Sequence, residues 1–340
     1  MNTYWHDKRV LVTGSGGFLG SHVMEQLRTK GCRHIFGVSS KEYDLTKEEA
    51  VSRLFGDLSG AKSGWPGTSV DCPGAADVVI HLAGLVGGIA ANKAYPADFF
   101  YRNLMMGTLV IHYAWKTGCG KVVAAGAGCG YPEHAPMPLK EDDFWNGFPQ
   151  QESAPYSLAK RMLHIQSMAY WRQHSFPAIV TIPGNIYGPY DNFDLENAHV
   201  IPALVRKFVE ASQAGEKRVS VWGSGRPSRD FVYAGDVAEG ILRAAEFYNR
   251  SELVNLSSGQ ETTIRTVVEI LTEITGFTGQ VEWEASRPDG QVRRLFDVTK
   301  AQTDLGFSAA TGLREGLQRT VEWYRVHRGE ARTEVSIAAV

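Results

Sequence analysis

The chain has 340 residues, 43% of them hydrophobic and 21% charged, with a formal net charge of −2. That length can bury a full core, in two domains or in one elaborated α/β unit, and the composition is ordinary for a soluble globular protein. The near-neutral balance speaks against a general nucleic-acid or anionic-membrane partner, although local arginines can still bind a small anion.

Residues 8–13, Lys-Arg-Val-Leu-Val-Thr, predict a strand that runs straight into the turn Gly14-Ser15-Gly16-Gly17-Phe18-Leu19-Gly20. No signal-peptide pattern precedes it, and no apolar run is long enough to span a bilayer. Apolar residues at helical spacing follow from Phe18 to Lys30 and stop at Gly31. His34 to Val38 reads as a second strand, residues 56–76 as a Gly/Ser/Pro-rich surface loop, and Asp77 to Leu82 as a third strand. Asp98 to Lys116 predicts a long helix, Lys121 to Ala125 a strand, then a helix carrying Tyr156 and Lys160, then the strand Ala178 to Ile182. Strands alternating with helices imply an α/β fold with a doubly wound parallel Rossmann sheet.

After Pro183 the pattern is irregular, with 185–189 and 222–225 as loop-like punctuation. Helical periodicity returns at Gly235–Tyr248, Ile264–Thr275 and Leu313–His327. The expected division is a dinucleotide-binding domain over 1–183 with a return segment at about 229–256. A smaller mixed α/β substrate domain is expected over 184–228 and 257–330, and a frayed tail over 331–340. There is no internal repeat. Cys32, Cys72, Cys119 and Cys129 show no metal spacing and no dense disulfide framework, so no metal and a reducing cytoplasm are expected.

Two motifs carry chemistry. The glycines at 14, 17 and 20, with Gly16 between them, let the backbone turn tightly and approach a pyrophosphate at a helix N-terminus. The second strand then runs into Ser39-Ser40-Lys41 without a carboxylate until Glu42, which favours NADP over NAD; Asp44-Leu45 is expected near the adenine. Tyr156 and Lys160 stand one helical turn apart, where an ammonium beside a phenol is expected to favour the phenolate. Together the two motifs point to hydride transfer.

The chain resembles the extended short-chain dehydrogenase/reductase superfamily in Gly14–Gly20, His81-Leu82-Ala83-Gly84, Tyr156-x-x-x-Lys160 and Arg229-Asp230-Phe231-Val232-Tyr233-x-x-Asp236. Within it, the chain is similar to the GDP-L-fucose synthase family. That likeness rests on Val86-Gly87-Gly88-Ile89 through Asn92 to Tyr95-Pro96-Ala97-Asp98-Phe99, and on Gly188-Pro189-Tyr190-Asp191-Asn192-Phe193. His199-Val200-Ile201-Pro202-Ala203-Leu204 and Pro288-Asp289-Gly290-x-x-Arg293-Arg294 extend it over nearly the whole chain.

The resemblance implies 3,5-epimerisation and 4-reduction of a GDP-4-keto-6-deoxy-hexose or a related sugar. Tyr156 would protonate the C4 oxygen, Lys160 would hold the nicotinamide ribose and lower the phenol's pKa, and Cys129 with His199 would exchange protons at C3 and C5. Leu82, Ala83, Gly84, Asn103, Pro183, Asn185 and Ile186 would join Gly14–Gly20 around the cofactor. Val86, Gly87, Asn185, His199, Lys207, Trp222, Arg229 and Arg294 would hold the substrate, the arginines taking the diphosphate. A homodimer would form through the helices Asp98–Lys116 and Tyr156–His174.

One segment departs from the family. Where it carries Gly-Ser-Ser-Cys-x-Tyr-Pro, this chain has Gly126-Ala127-Gly128-Cys129-Gly130-Tyr131-Pro132. The hydroxyl beside the tyrosine is absent at Ala127. Three consequences are open: water or substrate replaces the hydroxyl, the small residues make room for a bulkier sugar, or bound cofactor serves epimerisation or C4 oxidation without net reduction. A non-catalytic NAD(P)-sensing protein is the reading outside enzymology.

Overall fold

The computed structural model describes residues 3–59, 74–195, 197–286 and 290–329. Residues 60–73 of the expected loop, Cys72, Pro288, Asp289 and the tail lie outside the described residues. The chain begins with β1 (Arg9–Thr13), α1 (Phe18–Thr29), β2 (His34–Val38), α2 (Glu48–Ser59) and β3 (Val78–His81). It continues with α3 (Ile89–Ala94), α4 (Pro96–Lys116), β4 (Lys121–Ala125), α5 (Ala154–His174), β5 (Ala178–Pro183) and β6 (Asn185–Tyr187). Next come α6 (Val200–Ala214), β7 (Arg218–Trp222), β8 (Ser228–Tyr233), α7 (Ala234–Phe247), β9 (Val254–Leu256) and β10 (Glu261–Thr263). The last elements are α8 (Ile264–Thr275), β11 (Gln280–Glu284), β12 (Arg293–Arg294), α9 (Thr299–Leu305) and α10 (Leu313–His327).

The central sheet runs β2-β1-β3-β4-β5-β9, every neighbouring pair parallel. Its middle strands are buried at every position of β3 and β5, which is why they read as apolar runs rather than alternations. Val10, Val12, Ile80 and Val123 pack on one face against Val23 of α1, Ile241 of α7 and Ala301 of α9. Leu11, Val79 and Val122 pack on the other against Leu54 of α2, Val110 of α4 and Leu163 of α5. The chain leaves β1 for β2 on one side and reaches β3 on the other. That reversal opens a crevice beyond the carboxyl ends of β1 and β3, the place where open α/β sheets bind ligands.

A second layer of structure stands over this crevice. β8 pairs with β6 and β12 in parallel and with β10 antiparallel, while β7 and β11 form a separate parallel ribbon. α6, α8 and α10 close a third core around Phe208, Val267, Leu317 and Tyr324. Asn255 ties distant segments together: its side chain donates to Leu139 O and Asp297 O, each at 3.0 Å, and accepts the Tyr131 hydroxyl at 2.7 Å.

Two stretches differ from expectation. The start of the expected 56–76 loop is the end of α2, whose Val51, Leu54, Phe55 and Leu58 form a buried stripe at helical spacing. Gly56 lies on its open face, where a Cβ would meet nothing within 4 Å. The irregular stretch after Pro183 contains β6 and α6; Pro202 sits in the first turn of α6, where its missing N–H costs no helical hydrogen bond. Among the described residues no helix is long and apolar enough to cross a membrane.

Candidate active site

The turn after β1 is shaped by what its glycines lack. Gly14 has φ of 71°, and a Cβ there would lie 2.8 Å from the Ala83 nitrogen. A Cβ at Gly20 would run into the Gly14 carbonyl, so α1 and the turn touch backbone to backbone. Gly17 caps α1 without a side-chain bond and no acid occupies its first turn, so the helix end presents bare amides and a positive dipole. Gly16 is exposed, Leu19 packs into the core beneath, and Phe18 meets the His22 ring edge-on at 6.0 Å.

The loop after β3 forms the next wall. Thr13 Oγ1 lies 2.8 Å from His81 Nδ1 and accepts Ala83 N at 3.4 Å. His81 is fully buried and pushed down to about 3, by desolvation first and then by the Lys160 charge, so it is neutral. Asn103 stands behind this loop. It is buried and donates to Leu85 O at 3.0 Å and Phe99 O at 2.8 Å while accepting Leu85 N at 3.1 Å. One amide proton goes to the loop at Leu85 and the other to Phe99 of α4, so both are engaged within the wall. Gly84 has no room for a side chain: its Cβ would lie 3.0 Å from Asn103 Oδ1 and 3.3 Å from Lys160 Nζ.

At the end of β2 the expected set divides. Ser39 donates its N–H at 3.1 Å and its hydroxyl at 2.9 Å to the Glu42 carboxylate, a local capping arrangement. Asp44 accepts Thr46 N at 3.1 Å and its hydroxyl at 2.7 Å, and Leu45 is buried in the core. Ser40 and Lys41 are exposed and share a concavity with Lys47 and Arg53. Arg53, whose guanidinium donates to Glu42 O at 2.9 Å, was not singled out in the sequence because its helix was not recognised.

α5 brings Tyr156 and Lys160 to the crevice. Tyr156 meets Phe99 edge-on at 6.1 Å, and buried Lys160 donates to Ala125 O at 3.1 Å. Desolvation pulls the Lys160 ammonium down to about 8. The phenol is pushed up rather than down, by desolvation and then by the sulfur of Cys129. The expectation of a favoured phenolate is not met: burial first, then the sulfur, both favour the protonated phenol.

Cys129 lies in a 3-10 turn over Gly128–Gly130, just after β4. Burial pushes its thiol up, while Ser157 and the charges of Arg294 and Lys160 pull the other way. The Arg161 guanidinium, also within reach of that sulfur's charge, donates to Gly130 O at 2.6 Å and Gly147 O at 2.9 Å. Neither Ser157 nor Arg161 was singled out in the sequence, though both sit inside the Tyr156–Lys160 helix.

His199 caps α6 and keeps an exposed side chain, yet the protein around it pulls its imidazole below the ordinary value, the condition of a group lining a cleft. It makes no hydrogen bond to Cys129. Near His199 the loop at Gly88 approaches Asn197 O; Gly87 packs between Ala91 and Phe99, and Phe99 meets Tyr156. Val86 on the same loop is half exposed. Pro183 ends β5 with its carbonyl against Gly128, Asn185 is half-buried in β6, and Ile186 packs on the core.

Arg229 and Arg294 are register partners on β8 and β12. Arg229 donates to Ser228 O at 2.7 Å and is pulled down to about 10 by desolvation and then by Arg294. Arg294 Nε is buried without a partner, and among the described residues neither guanidinium pairs with a carboxylate. Two like charges held together without a counterion are the signature of an anion site. Lys207 donates to Ser220 O at 3.0 Å and sits 5.4 Å over the exposed Trp222 ring.

Residues 10–257 match the NAD dependent epimerase/dehydratase family. The chain belongs to that family. A GDP-L-fucose synthase of Arabidopsis thaliana is 37% identical over 93% of this chain and 93% of its own. A GDP-L-fucose synthetase from Naegleria fowleri bound to NADP superposes with TM-score 0.83 at 26% identity, covering 96% of this chain and 97% of that one. A GDP-mannoheptose C4 reductase from Campylobacter jejuni with NADP bound gives 0.82 at 27% identity, covering 96% and 99%.

Within this family member the segment around Ala127 is tighter than its composition suggests. A Cβ at Gly128 would lie 2.7 Å from Phe296 and one at Gly130 2.8 Å from Phe144. The aromatic rings fill the space those glycines leave, so the wall is not widened there for a bulkier sugar.

Proposed function

We propose that the protein is an NADP-dependent nucleotide-sugar epimerase/reductase that inverts C3 and C5 of a GDP-4-keto-6-deoxy-hexose and reduces C4. The observation that supports this reading is the packing of the Tyr156–Lys160 helix against the Cys129 turn: Arg161 of that helix donates to Gly130 O at 2.6 Å, and Phe296, two residues beyond Arg294, lies against Gly128. The glycine cradle of Gly14, Gly17, Gly20 and Gly84, with the uncapped α1 end, fits the cofactor's pyrophosphate, and Lys160 fits its ribose. NADP, when bound, supplies the hydride for C4. Ser40, Lys41 and Arg53 suit its 2′-phosphate.

The chain's own residues divide the rest. Cys129 as thiolate takes the proton from the carbon beside the ketone, and the freed electron pair passes into the enolate. His199 returns a proton to the other face; its lowered pKa makes the imidazolium a stronger acid. Tyr156, held protonated, donates to the C4 oxygen. Arg229 and Arg294 bind the diphosphate, and Trp222 with Lys207 flanks the nucleotide.

Two copies pairing across α4 and α5 would cover Phe100, Tyr101 and Ile165, which are exposed in one copy. A reducing cytoplasm suits Cys32, Cys119 and Cys129, all free.

The test is incubation with GDP-4-keto-6-deoxymannose in deuterated water. Deuterium at C3 and C5 together with NADPH consumption is the expected result; neither signal rejects the proposal. Ala127, which offers no hydroxyl to the C4 oxygen, favours a second reading, epimerisation with bound cofactor and no net reduction. Exchange without NADPH consumption selects it.

A further inference from the structure

A buried carboxylate in the second layer has no part in the chemistry proposed above. Asp230 of β8 is fully buried, and its two oxygens take four bonds. Oδ1 accepts Ser258 N at 3.0 Å and the Ser258 hydroxyl at 2.6 Å. Oδ2 accepts Gly259 N at 3.1 Å and Phe296 N at 3.2 Å. Four donors saturate an ionised carboxylate, and each bond to a charged acceptor is about twice as strong as a neutral one. Burial pushes the carboxyl above its ordinary value, and these donors oppose it. Losing this acceptor would leave buried N–H groups unpaired, so the segments that donate to it are held in place.

One of those segments needs an anchor. β12 is two residues long, with Arg293 opposite Ser228 and Arg294 opposite Arg229, a ladder too short to fix its own position. Before it, Ser228 N donates to Val292 O at 3.0 Å; after it, Asp230 takes Phe296 N. Arg294 therefore stands between two fixed points, both supplied by β8. Phe296 passes the constraint on. Its neighbours pair with Leu139, which donates to Leu295 O at 2.8 Å and accepts Asp297 N at 2.9 Å. The buried Phe296 ring meets Tyr131 edge-on at 6.0 Å and lies against Gly128, where a Cβ would be 2.7 Å from it. Gly128 opens the 3-10 turn that carries Cys129.

We propose that Asp230 is a positioning residue for both halves of the site: its carboxylate sets Arg294 opposite Arg229 for the diphosphate and, through Phe296, seats the Cys129 turn. The purpose of this anchor rests on the epimerase/reductase reading; its contacts do not. Arg229 and Asp230 are adjacent in one strand and so project to opposite faces, the cation on one and the anchor on the other. Diphosphate binding and proton exchange should therefore weaken together when Asp230 is altered. They should separate when only the Phe296 ring is shortened.

The experiment compares wild type, Asp230→Asn, Asp230→Ala and Phe296→Leu in three measurements. These are GDP affinity by calorimetry, C3/C5 deuterium uptake from GDP-4-keto-6-deoxymannose, and iodoacetamide alkylation of Cys129 read on its own peptide by mass spectrometry. Asp230→Asn keeps a neutral acceptor for Phe296 N and lowers GDP affinity and uptake alike, about fivefold; Asp230→Ala lowers both by more than about tenfold. Phe296→Leu keeps the bond to Asp230 and splits the two: GDP affinity and the KM for exchange stay within about twofold, while kcat for exchange falls about tenfold. Alkylation quickens in all three variants as the turn loses its seat. Unchanged GDP affinity in the Asp230 variants overturns the proposal, as does an affinity loss in Phe296→Leu equal to its loss of exchange. Should Asp230→Ala not fold, Asp230→Asn and Phe296→Leu decide the matter by the same criteria. A wild type that neither binds GDP nor takes up deuterium, with alkylation still faster in Asp230→Asn and Phe296→Leu, refutes the epimerase/reductase reading and leaves the anchor standing.

Discussion

The two walls of the crevice are built on opposite principles. The wall from β1, α1 and the β3 loop works by omission: Gly14, Gly17 and Gly20 bring backbone to backbone, Gly84 lets Asn103 and Lys160 close in, and the helix end supplies fixed dipoles. The wall from α5, β8 and β12 works by accumulation: Lys160 and Arg229 each donate to a carbonyl, and Arg229 stands in register with Arg294. The first is complementary by shape before anything binds. Among the described residues the second gathers like charges with no carboxylate partner, which on the proposed reading trades stability of the free protein for affinity.

The largest effect that would break this comparison is on the shape wall. Gly20→Ala drives a methyl into the Gly14 carbonyl, and NADP binding by calorimetry should fall below detection. Gly16→Ala in the same turn adds a Cβ with nothing within 4 Å and should cost far less. Equal losses in the two variants would show that the turn responds to added bulk in general and not to that one approach. On the charge wall the expected signs split. Arg294→Met should weaken GDP-sugar binding roughly ten- to a hundredfold, the value of one charge-assisted phosphate contact, while raising the melting temperature of the free protein. A lower melting temperature would mean that the arginine pair is a structural support.

The same contrast explains what could be read from the chain. The shape wall is local, a strand, a glycine turn and a helix in one run of residues, and Tyr156 and Lys160 share one helical turn. These were legible. The charge wall depends on β12 lying in register with β8, a pairing of Arg229 with Arg294 that no periodicity reveals. Phe296 filling the space over Gly128 is likewise tertiary, so small residues there read as open room. The phenol's direction of shift was misjudged because spacing places an ammonium near it but says nothing of burial. α2 was hidden by the Gly/Ser-rich run that follows, although its Val51, Leu54, Phe55 and Leu58 carry the helical period. α6 went unrecognised between the loop-like stretches at 185–189 and 222–225, although Pro202 falls in its first turn, where a helix tolerates it.

The smallest effect concerns the boundary between the walls. Ala127 precedes the Cys129 turn in extended backbone and is half-buried. Ala127→Ser would put a hydroxyl at the position where the resembling family carries one, beside the Tyr156 donor. An oriented donor at a developing oxyanion is commonly worth on the order of 10²–10³, but this site has evolved without it, so a gain of about tenfold in single-turnover C4 reduction is expected. Deuterium exchange at C3 and C5 should change less if, as proposed, it depends on the sulfur rather than on a donor to the C4 oxygen. A gain in exchange equal to the gain in reduction would mean that both steps wait on polarisation of the same ketone, and Tyr156 alone then polarises it too weakly. No gain in either would mean that the C4 oxygen already has a second donor, with bound water or the sugar's own hydroxyl as the group to look for next.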